Sequence, residues 1–359
     1  MAHIMAIVMT KRHGKVEQKP FLSRLKGKLR KRFSDLRSYF QTRISNLSKT
    51  RLSGDLVFKL IVGIVALSVV LILGTIFVRF YSYANLSIQT YGLGFLGGTR
   101  WSPDPTNLAF GALPPILGTI VTSMIALLIG VPISWGVALT LSEFTPRRFS
   151  YYVSFLVELL AAIPSVIYGL WGIFVLIPFL ESTVYPFLQD TLGFLPFFQG
   201  RTYGGFNVMT AGVILAIMII PTVSAVTRDA LHAVPRSQRE AFIALGATKW
   251  ETARFSMSYS RSGLIGAIIL GMGRAVGETI AVTLVIGSSF NMFSSLFQPG
   301  TTLAAMIANE FREASSPQIY VSAIFEIGLL LMALSVIVNL IARLVIWRSG
   351  KQFRGAELL

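Results

Sequence analysis

The sequence predicts an all-α integral membrane protein whose six transmembrane helices leave both termini in the cytoplasm. Three observations predict it. Of 359 residues, 53% are hydrophobic and 13% charged, with a mean hydropathy of +0.66. A soluble core of this length cannot hide so much apolar surface, so lipid is the expected solvent. Six stretches reach the roughly 20 mostly apolar residues that a crossing requires. Finally, the basic residues behind the net charge of +16 are unevenly placed. They collect in the N-terminal arm, at Arg147 and Arg148, between Arg228 and Arg261, and from Arg343 onward; the opposite loops hold only Arg79, Arg100, Arg201 and Arg312. That asymmetry sets the orientation.

Taken in order, the spans are expected at Leu56–Val78, Pro114–Leu141, Val153–Leu180, Asn207–Val226, Gly263–Gly287 and Val321–Trp347. Pro164 and Pro178 in the third and Pro221 in the fourth predict kinks whose freed carbonyls neighbouring helices satisfy. The first span follows a basic arm without small-residue cleavage chemistry and reads as a retained anchor. The chain thus divides into a basic arm (residues 1–55), a membrane domain (56–347) and a short C-terminal tail (348–359). In the arm, Leu22, Leu25, Leu29, Phe33, Leu36 and Phe40 recur at helical spacing among basic residues. They suit an amphipathic helix on anionic lipid; a tail that only enforces orientation is the other reading, and a membrane tether argues against nucleic acid.

Catalytic classes are poorly supported. There is no cysteine, and the three histidines (His3, His13, His232) are scattered, which disfavours metal and triad sites. No GxxxxGK[ST] loop is present, so the chain is not an ATPase by itself, and no cofactor is expected in it.

The connection 229–261 carries the first functional pattern. Ser237 with Glu240 has capping-box spacing, Ala241, Phe242, Ala244 and Leu245 give an apolar face, and Gly246 suits a left-handed stop. Thr248 with Glu251 repeats the box and opens a second helix through Trp250, Ala253 and Phe255. A helix–glycine–helix hairpin at the membrane face is a docking element for a cytoplasmic partner, or else packs on the chain's own spans. Glu240-Ala241 followed by Gly246 and Ala247 resembles the EAA loop of ABC importer permeases. The resemblance assigns Glu240, Ala241, Leu245, Gly246 and Ala247 to ATPase coupling. Where that motif ends in Ile-x-Leu-Pro, this chain reads Ser256, Met257, Ser258, Tyr259.

The fifth span carries the second pattern. Gly263, Ala267, Gly271 and Ala275 form one small-residue face and Gly273, Gly277 and Ala281 another, so close helix packing is expected there. Arg274 and Glu278 stand at i, i+4. A mid-membrane charge costs about 2.5–3.5 kcal/mol on insertion scales. Such a pair either neutralises itself structurally, or presents Arg274 to an anion with Glu278 tempering its charge. Glu158 in the third span is another candidate for the path, and Glu326 is expected near the outer end of the sixth.

GRAVGETIAV, together with GFLGGTRWSPD, FGALPPILGTIVTSMIALLIGVP and LLAAIPSVIYGLWG, resembles the phosphate-specific importer permeases of the PstC type over roughly residues 91–347. The resemblance implies a type I ABC importer permease fold (MetI-like) that carries inorganic phosphate inward. It also implies a homologous second permease (PstA type), an ATPase dimer (PstB type) that uses ATP and Mg, and an external binding protein (PstS type) docking on the loops 181–206 and 288–320. Sulfate or molybdate permeases, or an ion-coupled anion transporter with Glu158 and Glu278 as a proton relay, are the alternatives.

Overall fold

The computed structural model describes residues 54–104, 106–313 and 318–354. The basic arm and its proposed amphipathic helix lie outside the described residues, as does the end of the tail. Among the described residues the structure is helical, apart from one bridge between Ser102 and Ala109. The chain divides at Gly74 into two units. The principal helices are α1 (Gly54–Tyr91), α2 (Leu113–Leu139), α3 (Arg147–Ala161), α4 (Ser165–Leu192, with two π-helical turns), α5 (Val208–His232), α6 (Arg236–Ala244), α7 (Lys249–Tyr259), α8 (Arg261–Gly277), α9 (Ile280–Val285), α10 (Leu303–Glu310) and α11 (Gln318–Arg354).

Among the described residues, five helices are long and apolar enough to cross a membrane: Leu56–Tyr91, Leu113–Phe144, Ser165–Leu192, Tyr203–His232 and Gln318–Ile341. Two expected spans are corrected. The third starts at Ser165 rather than Val153, because Pro164 lacks an N–H and takes an extended conformation (ψ 139°), ending α3 before α4 begins. Helix α3 is a separate element, apolar outward at Phe155, Leu156 and Leu159, with Ser154 buried. The fifth is interrupted: Gly277 ends α8, Glu278 is extended (ψ 125°), and α9 restarts at Ile280. At 17 and 6 residues, neither piece joins the five.

The interior is built on α2 against α5. Gly118, Thr122, Ala126, Gly130, Ser134 and Ala138 are all buried, a small residue at every fourth position. In lipid, apolar side chains give little drive for association, so close backbone approach and dense van der Waals contact hold such helices together. A methyl on Gly130 would fall 2.8 Å from Ile219 of α5. A second cluster gathers Phe95, Phe110, Tyr320 and Ile324 around the segment joining α1 to α2. Its polar centre is Glu310, buried, which accepts from Trp101 Nε1 at 3.0 Å and from the Tyr320 hydroxyl.

The expected loops after the third and fifth spans are partly helical: α4 runs on through Glu181 to Leu192, and α10 lies within 288–320. Glu326 is buried in α11, only 7% exposed, not at a solvated edge.

Candidate functional site

Two places gather the residues with chemistry. The first is the hairpin. Helix α6 starts after Pro235, with no side-chain cap; Ser237 lies inside the helix, so its box with Glu240 is not formed. Proline before Arg236 already fixes the chain's entry, which leaves Ser237 no N-cap position to fill. Gly246 takes φ +87°, and its amide donates to Ile243 O at 2.9 Å while Ala247 donates to Phe242 O at 3.1 Å. These bonds close the helix end with a left-handed residue. Thr248 then caps α7: its Oγ1 accepts from Glu251 N at 3.3 Å, and its own amide donates to the Glu251 carboxylate at 2.8 Å. That amide, with the Thr248 hydroxyl donating to the same carboxylate oxygen at 2.8 Å, holds the exposed Glu251 carboxyl below the usual range. Phe242 stacks on Phe255, with ring centres 3.8 Å apart, which fixes α6 against α7.

The hairpin's outer surface is apolar. Leu245 is 85% exposed, and Ile243 and Trp250 are exposed too. Glu240, Ala241 and Gly246 share that exposure, while Ala247 is half-buried. Large apolar knobs held out by a rigid turn mark a contact surface. With Ser256 to Tyr259 in place of a proline exit, α7 runs on through Tyr259 and meets α8 at Ser260 (φ −90°, ψ 15°).

The second place is the groove beside Arg274. The expected Arg274–Glu278 pair is absent: no ion pair joins them, because the break after Gly277 removes the helical register that i, i+4 contact needs. Glu278 accepts instead from the Ala281 amide at 3.3 Å, holding the start of α9. Arg274 Nη1 donates to Thr222 Oγ1 of α5 at 3.0 Å. Around this half-buried guanidinium lies a groove of about 370 Å³, lined also by Gly266, Leu270, Gly273 and Asn339. Gly263 and Gly271 abut Ala230 and Val223 of α5, whereas Gly273 and Gly277 have open space before them. One face of α8 is therefore seated on α5, while the positions of Gly273 and Gly277 stand clear of neighbours. Thr222 and Asn339 were not legible as groove residues, since nothing in their own segments signals that α5 and α11 flank Arg274.

Glu158 lies apart from this groove, on α3 rather than in a crossing helix. It is exposed and pairs with Arg228 of α5 at 2.7 Å, beside a separate cavity of about 350 Å³ that His232 also lines.

The model of the family described as binding-protein-dependent transport system inner membrane component matches residues 130–349. The phosphate transport system permease protein PstC of Haemophilus influenzae is 44% identical over 294 residues, covering 80% of this chain and 92% of that protein. PstC of Mesorhizobium japonicum is 40% identical over 298 residues, with 82% and 90% covered. A probable PstC of Methanocaldococcus jannaschii is 36% identical over 284 residues, with 78% and 90% covered. With this similarity running through the hairpin, the Arg274 groove and most of the described helices, the chain belongs to the binding-protein-dependent transport system inner membrane component family, among its PstC-type permeases.

Proposed function

We propose that this chain is the permease subunit of an ATP-driven ABC importer that carries inorganic phosphate across the cytoplasmic membrane, in which it is a multi-pass component. The observation that carries this reading is the 44% identity to a phosphate permease across 92% of that protein's length. The Arg274 groove supplies chemistry that fits it. A guanidinium offers a planar fork of donors to a tetrahedral oxyanion, and here one nitrogen is steered by Thr222 while, among the described residues, no carboxylate pairs with it. Gly273 and Gly277 leave the same face of α8 open, which suits a path completed by a homologous second permease of the PstA type. The apolar hairpin surface suits an ATPase dimer of the PstB type, which binds and hydrolyses ATP with Mg. An external binding protein of the PstS type delivers phosphate to the opposite side.

A proton relay through Glu158 and Glu278 finds no support: Glu158 is ion-paired outside the crossing helices, and Glu278 is engaged with a backbone amide.

The test is ATP-dependent uptake of labelled phosphate by vesicles holding the four-component complex. Phosphate uptake that needs ATP, and that sulfate and molybdate fail to compete away, is the expected result. Uptake by this subunit alone along an ion gradient, or a preference for another oxyanion, overturns the reading.

A further inference from the structure

Helix α2 is latched at both ends. Beyond Leu139 it widens into a π-helical turn, Thr140–Phe144; such turns insert a residue, re-aim the side chains after it, and concentrate at functional positions. Here the turn brings Glu143 to Arg239 of α6. One guanidinium nitrogen of Arg239 stands 3.0 Å from a carboxylate oxygen of Glu143, and the other donates to the second oxygen at 3.3 Å. Two parallel contacts between planar groups fix direction as well as distance. The first nitrogen also donates to the Leu231 carbonyl, in the last turn of α5, at 2.6 Å. Both side chains are mostly withdrawn from solvent, at 22% and 10% exposure, so salt and water screen them less than an open surface pair. Beside them, Phe144 and Trp250 of α7 bring their rings within 6.4 Å.

At the other end of α2, Thr119 Oγ1 accepts the Leu303 amide at the start of α10, at 2.9 Å. Gly118 lies so close to the Thr301 carbonyl that a methyl there would collide with it. Between the two latches, the small-residue stripe holds α2 against α5 along its length.

We propose that α2 is a transmission element for the hairpin, and that Arg239 and Glu143 are the positioning residues coupling the two. The inference rests on the reading of the hairpin as the ATPase docking surface. Chain continuity alone carries hairpin movement into α5 and α8. The Arg239 clamp adds α2, whose far end holds the residues just before α10. A displaced hairpin then shifts α10, at the end of α2 opposite the hairpin, without waiting for α8.

The experiment compares Glu143→Gln, Arg239→Gln, Arg239→Lys and Thr119→Val in the complete complex in vesicles. It measures ATPase co-purification, ATP hydrolysis and phosphate uptake per ATP. It also measures the hairpin-to-α2 distance between spin labels on cysteines introduced into this chain, which has none of its own, with the cysteines of the other subunits replaced. In Glu143→Gln and Arg239→Gln, binding and hydrolysis persist while uptake per ATP falls about tenfold and the label distance broadens, and the double variant is no worse than either single one, as residues of one network behave. Arg239→Lys, with charge but no fork, falls between. Thr119→Val lowers the same ratio with binding intact. Unchanged uptake per ATP in both neutral variants, with the ATPase bound, overturns the α2 link and leaves docking standing. Loss of the ATPase in every variant, Arg239→Lys included, makes the pair a folding element and equally overturns it. If Leu245→Asp leaves ATPase binding intact, the docking reading itself fails, which is a separate result.

Discussion

The hairpin of α6 and α7 and the interrupted helix pair α8 and α9 follow one another in the chain and use charge in opposite ways. In the hairpin, Arg239 is held by a carboxylate and a carbonyl, and the surface it supports is apolar. In α8, Arg274 has one hydroxyl partner and faces a groove. A guanidinium whose two terminal nitrogens are tied to a carboxylate and a carbonyl braces a structure; one held by a single hydroxyl in a half-buried groove can take an anion. The distinction lies in the partners rather than in the residue.

The sharpest break of that comparison is Arg274→Gln. Hydrogen bonds to charged groups contribute about 1.5–3 kcal/mol each, so losing two of them lowers phosphate uptake by at least about a hundredfold. Assembly survives, because removing a charge from the membrane relieves an insertion cost of about 2.5–3.5 kcal/mol. Subunit co-purification with labelled-phosphate uptake checks both halves. Normal uptake would falsify the anion role of Arg274.

Next in size is Gly246→Val. Space around Gly246 is open, so the cost is the backbone's: a residue with a Cβ at φ +87° loses roughly 1–2 kcal/mol, more when β-branched. The turn shifts, and with it Leu245. ATPase stimulation by the complex is expected to drop several-fold, with the membrane domain still folded, as read by hydrolysis rates and by thermal unfolding of the purified subunit. Full stimulation in this variant means the hairpin tip is not where the ATPase sits.

Glu278 gives a smaller effect and tests the comparison from the other side. Its carboxylate accepts one amide at the start of α9, and the amide oxygen of glutamine can do the same. Glu278→Gln is expected to keep uptake within about twofold, whereas Glu278→Ala, which leaves that amide without its acceptor, loses about 1 kcal/mol of local stability. If Glu278→Gln were as damaging as Arg274→Gln, the two would act as a pair in some state of the transport cycle despite their separation here.

The helix-capping residues of α7 were legible because everything that makes them lies within six positions: Thr248, Glu251 and the preceding Gly246. The break after Gly277 was not. Gly277-Glu278-Thr279 sits in an unbroken apolar run that meets the composition of a crossing helix, and only the packing of α8 on α5 and of α9 beside α4 decides that the register is lost. The same holds for Glu158. Its neighbours are apolar enough for a span, but Pro164 divides the segment and Arg228, far away in sequence, claims the carboxylate. The stripe from Gly118 to Ala138 is present in the sequence at strict fourth positions, but the spacing alone does not say that α5 is the helix it faces. The Arg239–Glu143 pair had no local signal at all, since it depends on a π turn. Positions set by neighbours in sequence are readable; positions set by helices meeting across the membrane are not.

The smallest effect expected is at the start of α7, and it carries a pH dependence of known sign. The backbone amide of Thr248 first, and its hydroxyl second, hold the Glu251 carboxyl below the ordinary carboxylate range. A group whose value is depressed on folding stabilises the fold above its unfolded value and stops doing so as pH falls through the folded one. Amide exchange in the first turn of α7, normalised for intrinsic rate, should therefore quicken as the pH is taken from neutral to about 3. Glu251→Gln should flatten that dependence without displacing the helix, because a glutamine oxygen still accepts from Thr248. Thr248→Ala removes the cap itself, about 1 kcal/mol, or roughly a fivefold faster exchange at neutral pH. Since Arg239 and the Phe242–Phe255 stack hold the hairpin independently of this cap, transport by Thr248→Ala should change less than exchange does. A loss of uptake matching that of Gly246→Val would mean that the cap, and not the clamp on α2, sets the hairpin's position.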